Sequence, residues 1–343
     1  MIMIVQNLKF APMTHTVYDI FYCDIGQRTK TSISENHFVK YNKSMRRKKV
    51  EYITDIFGYL FFFGLFNIIR MLPSAIYPEI GKVTGKFFYS IAGSLKKKIR
   101  NNIIAAYGNQ LTPEERTLLT KKIVEKNAFF FVEWALWTKI CSERALKLIE
   151  FKGIDALMQV CQSKKPVILV SAHLGNFALM IAALIYAGLP VTWIARDANN
   201  QYLARYMDRI RRKKGIFGIS KTNLSQAIGL SLEWLKQKNA LCLLIDQHSG
   251  KGTEVCFFGK IVQAPTGAAV FARRFDAKVF GVFIRHREKF KHTIFIEGPY
   301  QLAKTEDAEK DYRDNTQFFY NRIEYYVRQG PEEWFTWLHR RFR

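Results

Sequence analysis

The sequence predicts an α/β fold in which a largely parallel sheet is flanked by helices and preceded by an N-terminal membrane-associated helix. Three observations predict it. From about residue 166 onward, short apolar runs alternate with stretches of helical pattern, as parallel strands joined by crossover helices do. Ahead of them lies a long helical pattern that opens at Thr112-Pro113-Glu114-Glu115. Further forward, Ile56 to Ile69 form an almost uninterrupted apolar run.

Residues 1–44 are weakly patterned and carry no positive start followed by an apolar stretch and a small-residue cleavage site, so no secretory signal is predicted. Met45 then opens Met45-Arg46-Arg47-Lys48-Lys49. Residues 1–44 therefore read as an N-terminal extension or a mis-assigned start, and 45–110 as a membrane-associated helical segment. A spanning helix wants about 20 apolar residues, and Ile56 to Ile69, bounded by Asp55 and Arg70, fall short unless flanking charges snorkel. Basic residues lie on both sides, Arg46 to Lys49 before and Lys82, Lys86, Lys96, Lys97, Lys98 and Arg100 after. A single span would put one cluster outside against the positive-inside tendency, so an embedded helix with both ends cytoplasmic is the simpler reading. A buried core helix is the alternative.

Residues 111–343 read as the α/β domain. Helix is predicted over 113–147, with apolar positions recurring through Phe129, Phe130, Val132, Trp134 and Trp137. Strands follow at Val167 to Ala172, Val191 to Ile194, Leu241 to Ile245 and Val279 to Ile284, with helices near 176–187, 199–213, 223–238 and 266–275.

A chain of 343 residues that is 48% hydrophobic and 15% aromatic is neither disordered nor collagen-like, and it holds no internal repeat. With 53 Lys plus Arg against 29 Asp plus Glu, a net charge of +24, its surface seeks anions. Nucleic acid, anionic lipid and an acidic carrier protein all qualify, and charge alone cannot choose among them. The cysteines, Cys23, Cys141, Cys161, Cys242 and Cys256, are odd in number and lack a zinc-like spacing. They read as reduced thiols of a cytoplasmic domain, buried as small hydrophobes.

Chemistry concentrates where the strand ending at Ser171 meets the helix near 176, in His173-Leu174-Gly175-Asn176-Phe177. Strand C-terminal ends of open α/β sheets are where ligands sit, and the helix N-terminus adds free N–H groups. A histidine, with an ordinary pKa of about 6.5, can take a proton from a hydroxyl there. Asp246-Gln247-His248 lies at another predicted strand end, where the carboxylate either joins the chemistry or caps the next segment.

Ser171-Ala172-His173-Leu174-Gly175-Asn176-Phe177 resembles the first block of the lipid A late acyltransferases, a branch of the glycerolipid acyltransferase superfamily. Trp193-Ile194-Ala195-Arg196-Asp197-Ala198-Asn199-Asn200, with Arg211 and Gly215 behind it, is similar to the second block. Ile245-Asp246-Gln247-His248, Phe257-Phe258-Gly259-Lys260 and Pro265-Thr266-Gly267-Ala268 resemble the third. Pro331-Glu332-Glu333-Trp334-Phe335-Thr336-Trp337-Leu338-His339-Arg340-Arg341 resembles the family's ending. The resemblance covers roughly residues 52 to 343.

It implies a glycerolipid-acyltransferase-like sheet and transfer of an acyl chain from a thioester, acyl carrier protein or acyl-CoA, to a hydroxyl of a lipid A precursor. The expected place is the cytoplasmic face of a bacterial inner membrane. Acylation of another membrane lipid, such as a phosphatidylinositol mannoside or a lysophospholipid, and a catalytically silent lipid-binding protein are the alternatives. The expected partners are acyl carrier protein, anionic membrane lipid and a glycolipid acceptor, with no nucleic acid. No metal and no cofactor beyond the donor are expected, because no metal cluster, Walker loop or dinucleotide fingerprint appears.

In the implied site His173 is the base. Arg196 holds a phosphate or the oxyanion with its planar fork. Gly175, Asn176, Asn200, Phe257, Phe258 and Gly259 bind substrate, the phenylalanines either walling an acyl pocket or sitting in the core. Trp334 and Trp337 read as interfacial anchors beside basic residues, a composition that also stacks on nucleic acid. One position departs: the family's Asp or Glu five residues after the histidine is Ala178 here. Three readings follow, a replacement by Asp197 or Asp246, a substituted enzyme, or an impaired protein.

Overall fold

The computed structural model describes residues 49–250, 252–339 and 341–342. The N-terminal extension and Cys23 lie outside them, as do Arg46, Arg47, Lys48, Arg340 and Arg343. Two compact units emerge, one taking in residues up to Gly64 with Asn199–Tyr206, the other Leu65–Ala198 with Met207–Arg343. The larger unit includes the helices between residues 77 and 107.

The chain opens with helix α1 (Lys49–Met71), α2 (Tyr77–Ile91) and α3 (Gly93–Tyr107). At about 1.5 Å per residue, the 23 residues of α1 rise about 35 Å, and its stretch Thr54–Met71 is long and apolar enough to cross a membrane. The predicted fourteen-residue run understated it, because the helix continues over polar flanks. Phe66 and Ile69 are buried, Phe66 against Trp134 at 4.6 Å between ring centroids, while Leu65, Ile68 and Met71 face outward. In α2 the division is sharper. Gly81 and Gly85 lie against helix α4 (Pro113–Lys139) so closely that a Cβ would meet the Phe129 ring at 2.6 Å and the Glu125 Cα at 2.9 Å. Val83, Phe87 and Ile91, one turn apart, are exposed.

Helix α4 is started by a capping box, with Thr112 accepting from Glu115 N and Glu115 accepting from Thr112 N. The predicted helix to residue 147 breaks at Ile140, and the short α5 (Ser142–Leu146) follows. Then come β1 (Ile149–Lys152), α6 (Ile154–Gln162), β2 (Val167–Ser171), α7 (Phe177–Tyr186), β3 (Val191–Ala195), α8 (Gln201–Lys213), β4 (Ile219–Ser220), α9 (Leu224–Lys236) and β5 (Ala240–Leu244). The chain continues through the hairpin β6 (Thr253–Phe257) and β7 (Lys260–Ala264), α10 (Gly267–Phe275), β8 (Lys278–His286), β9 (His292–Glu297) and α11 (Ala308–Gln329).

Seven strands form one sheet in the order β1-β9-β8-β2-β5-β3-β4. Every neighbouring pair is parallel except β8 with β9. Strand β2 sits in the middle, all five residues buried, between β8 and β5. A strand apolar from Val167 to Val170 and covered on both faces is what a crossover sheet requires. Of the described cysteines only Cys242, on β5, is buried. Cys141 and Cys256 are exposed, which corrects the expectation of uniformly buried thiols; all four described are unbridged.

Candidate active site

The register of β2 and β5 decides where the chemistry lies. Val167 pairs with Ala240 and Ser171 with Leu244, a constant offset of 73 residues. Both strands end together, and two residues beyond each end stand His173 and Asp246, which share that offset. Parallel strands in register deliver their C-terminal continuations side by side, so the imidazole and the carboxylate meet without any special loop.

His173 Nδ1 lies 2.7 Å from Asp246 Oδ1, and the His173 backbone N–H donates to Oδ2 at 3.1 Å. Oδ2 also accepts from Trp334 Nε1 and Thr336 Oγ1, each at 2.7 Å. Asp246 is fully buried. Burial by itself would raise its pKa, but the His173 charge and hydrogen bonds from His173, Thr336 and Trp334 outweigh it and hold the carboxyl down at about 2. An ionised Asp246 accepts the proton of Nδ1, which leaves Nε2 as the nitrogen with the lone pair. The imidazole side chain is 19% exposed, packed edge-on against Phe177 with centroids 5.0 Å apart. Gln247 Nε2 stands 3.4 Å from His173 Nε2.

The loop is held from the far end of the chain. Phe335 N donates to His173 O at 2.8 Å, Gly175 N donates to Glu333 O at 2.9 Å, and Leu174 bridges Trp334. Gly175 has φ +57°, and a Cβ there would sit 2.7 Å from Ile284 O, so this turn is a place for glycine. Asn176 caps α7, its Oδ1 accepting from Leu179 N at 3.1 Å, while its Nδ2 donates to the buried Glu133 at 2.8 Å. Glu133 also faces His292 Nε2 at 2.6 Å. Both polar ends of Asn176 are thus taken by protein groups.

The other expected site residues disperse. Arg196 is exposed just past β3, the strand beyond β5. Asp197 accepts from Ser220 and Thr222, at 2.5 and 3.2 Å, at the end of β4. Asn200 belongs to the smaller unit, where it caps α8 through Tyr202 N and Leu203 N and donates to Asp55 O at 2.6 Å. Phe258 and Gly259, with φ +52° and +68°, form the two-residue turn between β6 and β7. Phe257 and Phe258 are buried among Trp334, Trp337 and Tyr320, which makes them core. Ala178 is half-buried in the first turn of α7.

One expectation changes. Trp334 and Trp337 are fully buried and cannot anchor at a lipid interface; the Trp334 indole N–H is spent on Asp246. Of the three readings of Ala178, the geometry fits replacement by Asp246, which stands at the imidazole Nδ1. Gln247, Thr336 and Glu133 escaped sequence reading as contributors. For Gln247 a signal existed, its place directly after the acid at a strand end.

Residues 43–343 match the model of the bacterial lipid A biosynthesis acyltransferase family. The chain belongs to that family. No curated protein matches the chain. Membership makes the protein one of a family of acyltransferases acting in lipid A biosynthesis, with a lipid A-type glycolipid as acceptor and an acyl donor. The exposed apolar faces of α1 and α2 fit an enzyme that works at a membrane.

Proposed function

We propose that this lipid A acyltransferase family member moves a fatty acyl chain from acyl carrier protein to a hydroxyl of a lipid A precursor, at the cytoplasmic face of the inner membrane. The observation that carries the reading is the His173–Asp246 pair at the C-terminal ends of two central parallel strands.

His173 Nε2 takes the proton of the acceptor hydroxyl as its oxygen attacks the thioester carbonyl carbon. Asp246 stabilises the imidazolium that forms and fixes its orientation. The carbonyl oxygen becomes an oxyanion, for which the Gln247 amide N–H2, 3.4 Å from the base, is the donor at hand. Collapse re-forms the carbonyl and breaks the carbon–sulfur bond. The imidazolium proton goes to the departing thiolate, giving the ester and the free thiol. The exposed apolar residues of α1 and α2, with Lys82 and Lys86, seat the protein on anionic lipid.

The test is transfer of a labelled acyl chain by the purified protein, with the lipid product read by mass spectrometry. His173→Ala is expected to lower turnover by about 100-fold or more, the scale of a lost general base, with thermal stability little changed. If the unaltered protein moves no acyl chain, from acyl carrier protein or coenzyme A, to any lipid A precursor, the reading falls.

A further inference from the structure

The tail that follows Trp334 carries a charge the mechanism does not use. Arg341 is 1% exposed. Its guanidinium lies 5.4 Å from the Phe257 ring centroid and 5.5 Å from that of Tyr320, and Nη2 donates to the Tyr320 hydroxyl at 3.1 Å. Nε and Nη1 have no hydrogen-bond partner among the described residues, nor does any carboxylate among them form an ion pair with Arg341. Aromatic faces attract a cation but supply no lone pair for its N–H groups. A buried guanidinium with no counter-charge and with two of its three nitrogens lacking acceptors is costly to keep.

Arg341 also lines a cavity of about 230 Å³, together with His248, Glu254, Ile261, Val262 and Gln263. The cavity lies between the β6–β7 hairpin and the loop that carries Asp246 and His248. We propose that it is an oxyanion site that seats a phosphate group, Arg341 turning its free N–H groups to the phosphate oxygens while Gln263 and His248 close on it from the rim. That the phosphate is the acceptor's rests on the function proposed above; the phosphate seat itself does not.

The site is wired to the chemistry. The Tyr320 hydroxyl accepts from Arg341 and donates to Ile245 O, the residue before Asp246, at 2.5 Å. A phosphate that draws Arg341 is therefore felt one residue from the catalytic carboxylate. Glu254 opposes the anion, since it lines the same cavity and accepts from Gln263 Nε2 at 3.3 Å.

The test is calorimetric titration of the full chain in neutral detergent at fixed ionic strength, first with inorganic phosphate, then with a phosphorylated glycolipid and the same glycolipid after phosphatase treatment. Saturable phosphate binding is expected. Arg341→Met should weaken it roughly tenfold, the scale of one lost charge-assisted hydrogen bond, and Glu254→Gln should tighten it roughly threefold by removing a like charge. Preference for the phosphorylated glycolipid over its treated form assigns the phosphate to the lipid. Equal binding of the two, with phosphate binding retained, assigns the seat to free phosphate. Absence of saturable binding, or binding that neither variant alters, overturns the proposal. If Arg341→Met does not fold, Glu254→Gln decides alone, because Glu254 is exposed and an unchanged affinity there suffices to overturn it. Acyl transfer enters none of these readings, so failure of the proposed reaction and failure of the phosphate seat are separable.

Discussion

The Trp334 indole N–H donates to Asp246 Oδ2 at 2.7 Å, joining residues 88 apart in the chain. The carboxylate faces His173 with one oxygen and gathers three donors on the other, two of them from the buried Trp334 and Thr336, and these set its orientation.

Trp334→Phe keeps an aromatic ring and removes the donor. Loss of a hydrogen bond to a buried charge should lower stability by about 1.5–3 kcal/mol. Turnover should fall with KM nearly constant, because the carboxylate acts on the imidazolium of the transition state. Denaturant unfolding and steady-state kinetics together check this; a variant as stable and as fast as the parent would detach the indole from the site.

Asp246→Asn preserves shape but cannot stabilise the imidazolium. A fall in kcat of about four orders of magnitude is expected, the scale seen for the comparable change in a catalytic triad. A loss below tenfold would show that Asp246 only shapes the loop.

The same carboxyl predicts a pH dependence of stability. Its folded pKa, about 2, is depressed below the ordinary aspartate value of about 3.9. Folding is thus favoured by the ionised form, with the contribution complete above about pH 4 and lost as pH falls toward 2. Thermal unfolding from pH 5 to pH 2.5 should show the parent losing stability more steeply than Asp246→Asn. Parallel curves would contradict the linkage.

Ala178→Glu is expected to leave turnover unchanged, since the Nδ1 position is already filled. A carboxylate in the first turn of α7 should instead add about 0.3–1 kcal/mol of stability through the helix dipole. A clear rise in kcat would restore position 178 to the mechanism.

Phe87→Glu combined with Ile91→Glu alters only the outward face of α2, opposite the glycines that pack on α4. Binding to anionic vesicles should drop and the fold persist, as judged by sedimentation and circular dichroism. Undiminished sedimentation with vesicles would place attachment elsewhere.

Much of this was legible in the sequence. The four predicted strands match β2, β3, β5 and β8 within two residues at each end, because strands buried on both faces read as continuous apolar runs. The helix α11 was missed. Its buried face begins with Asp311, Asn315 and Thr316 and turns apolar only at Phe319, Tyr320 and Ile323, so half of its periodicity is hidden in polar residues. Both members of the histidine–aspartate pair were singled out, and Asp246 was one of two carboxylates offered as the histidine's partner, the other being Asp197. The family resemblance implied an acid five residues after the histidine, at Ala178, whereas the partner arrives 73 residues later through sheet register, which no local window contains. The tryptophans misled for a similar reason, since a basic, aromatic ending looks interfacial until the strand ends it covers are known.

The hold that Glu333, Trp334, Phe335 and Thr336 keep on the His173 loop and on Asp246 sets an order on biosynthesis. While those residues remain inside the ribosome, the nascent sheet can already align β2 with β5, yet its buried aspartate lacks two of its donors. Competence therefore waits for residues 333 to 336, and a message cut short before residue 333 yields a chain with every strand of its sheet and no finished acid–base pair.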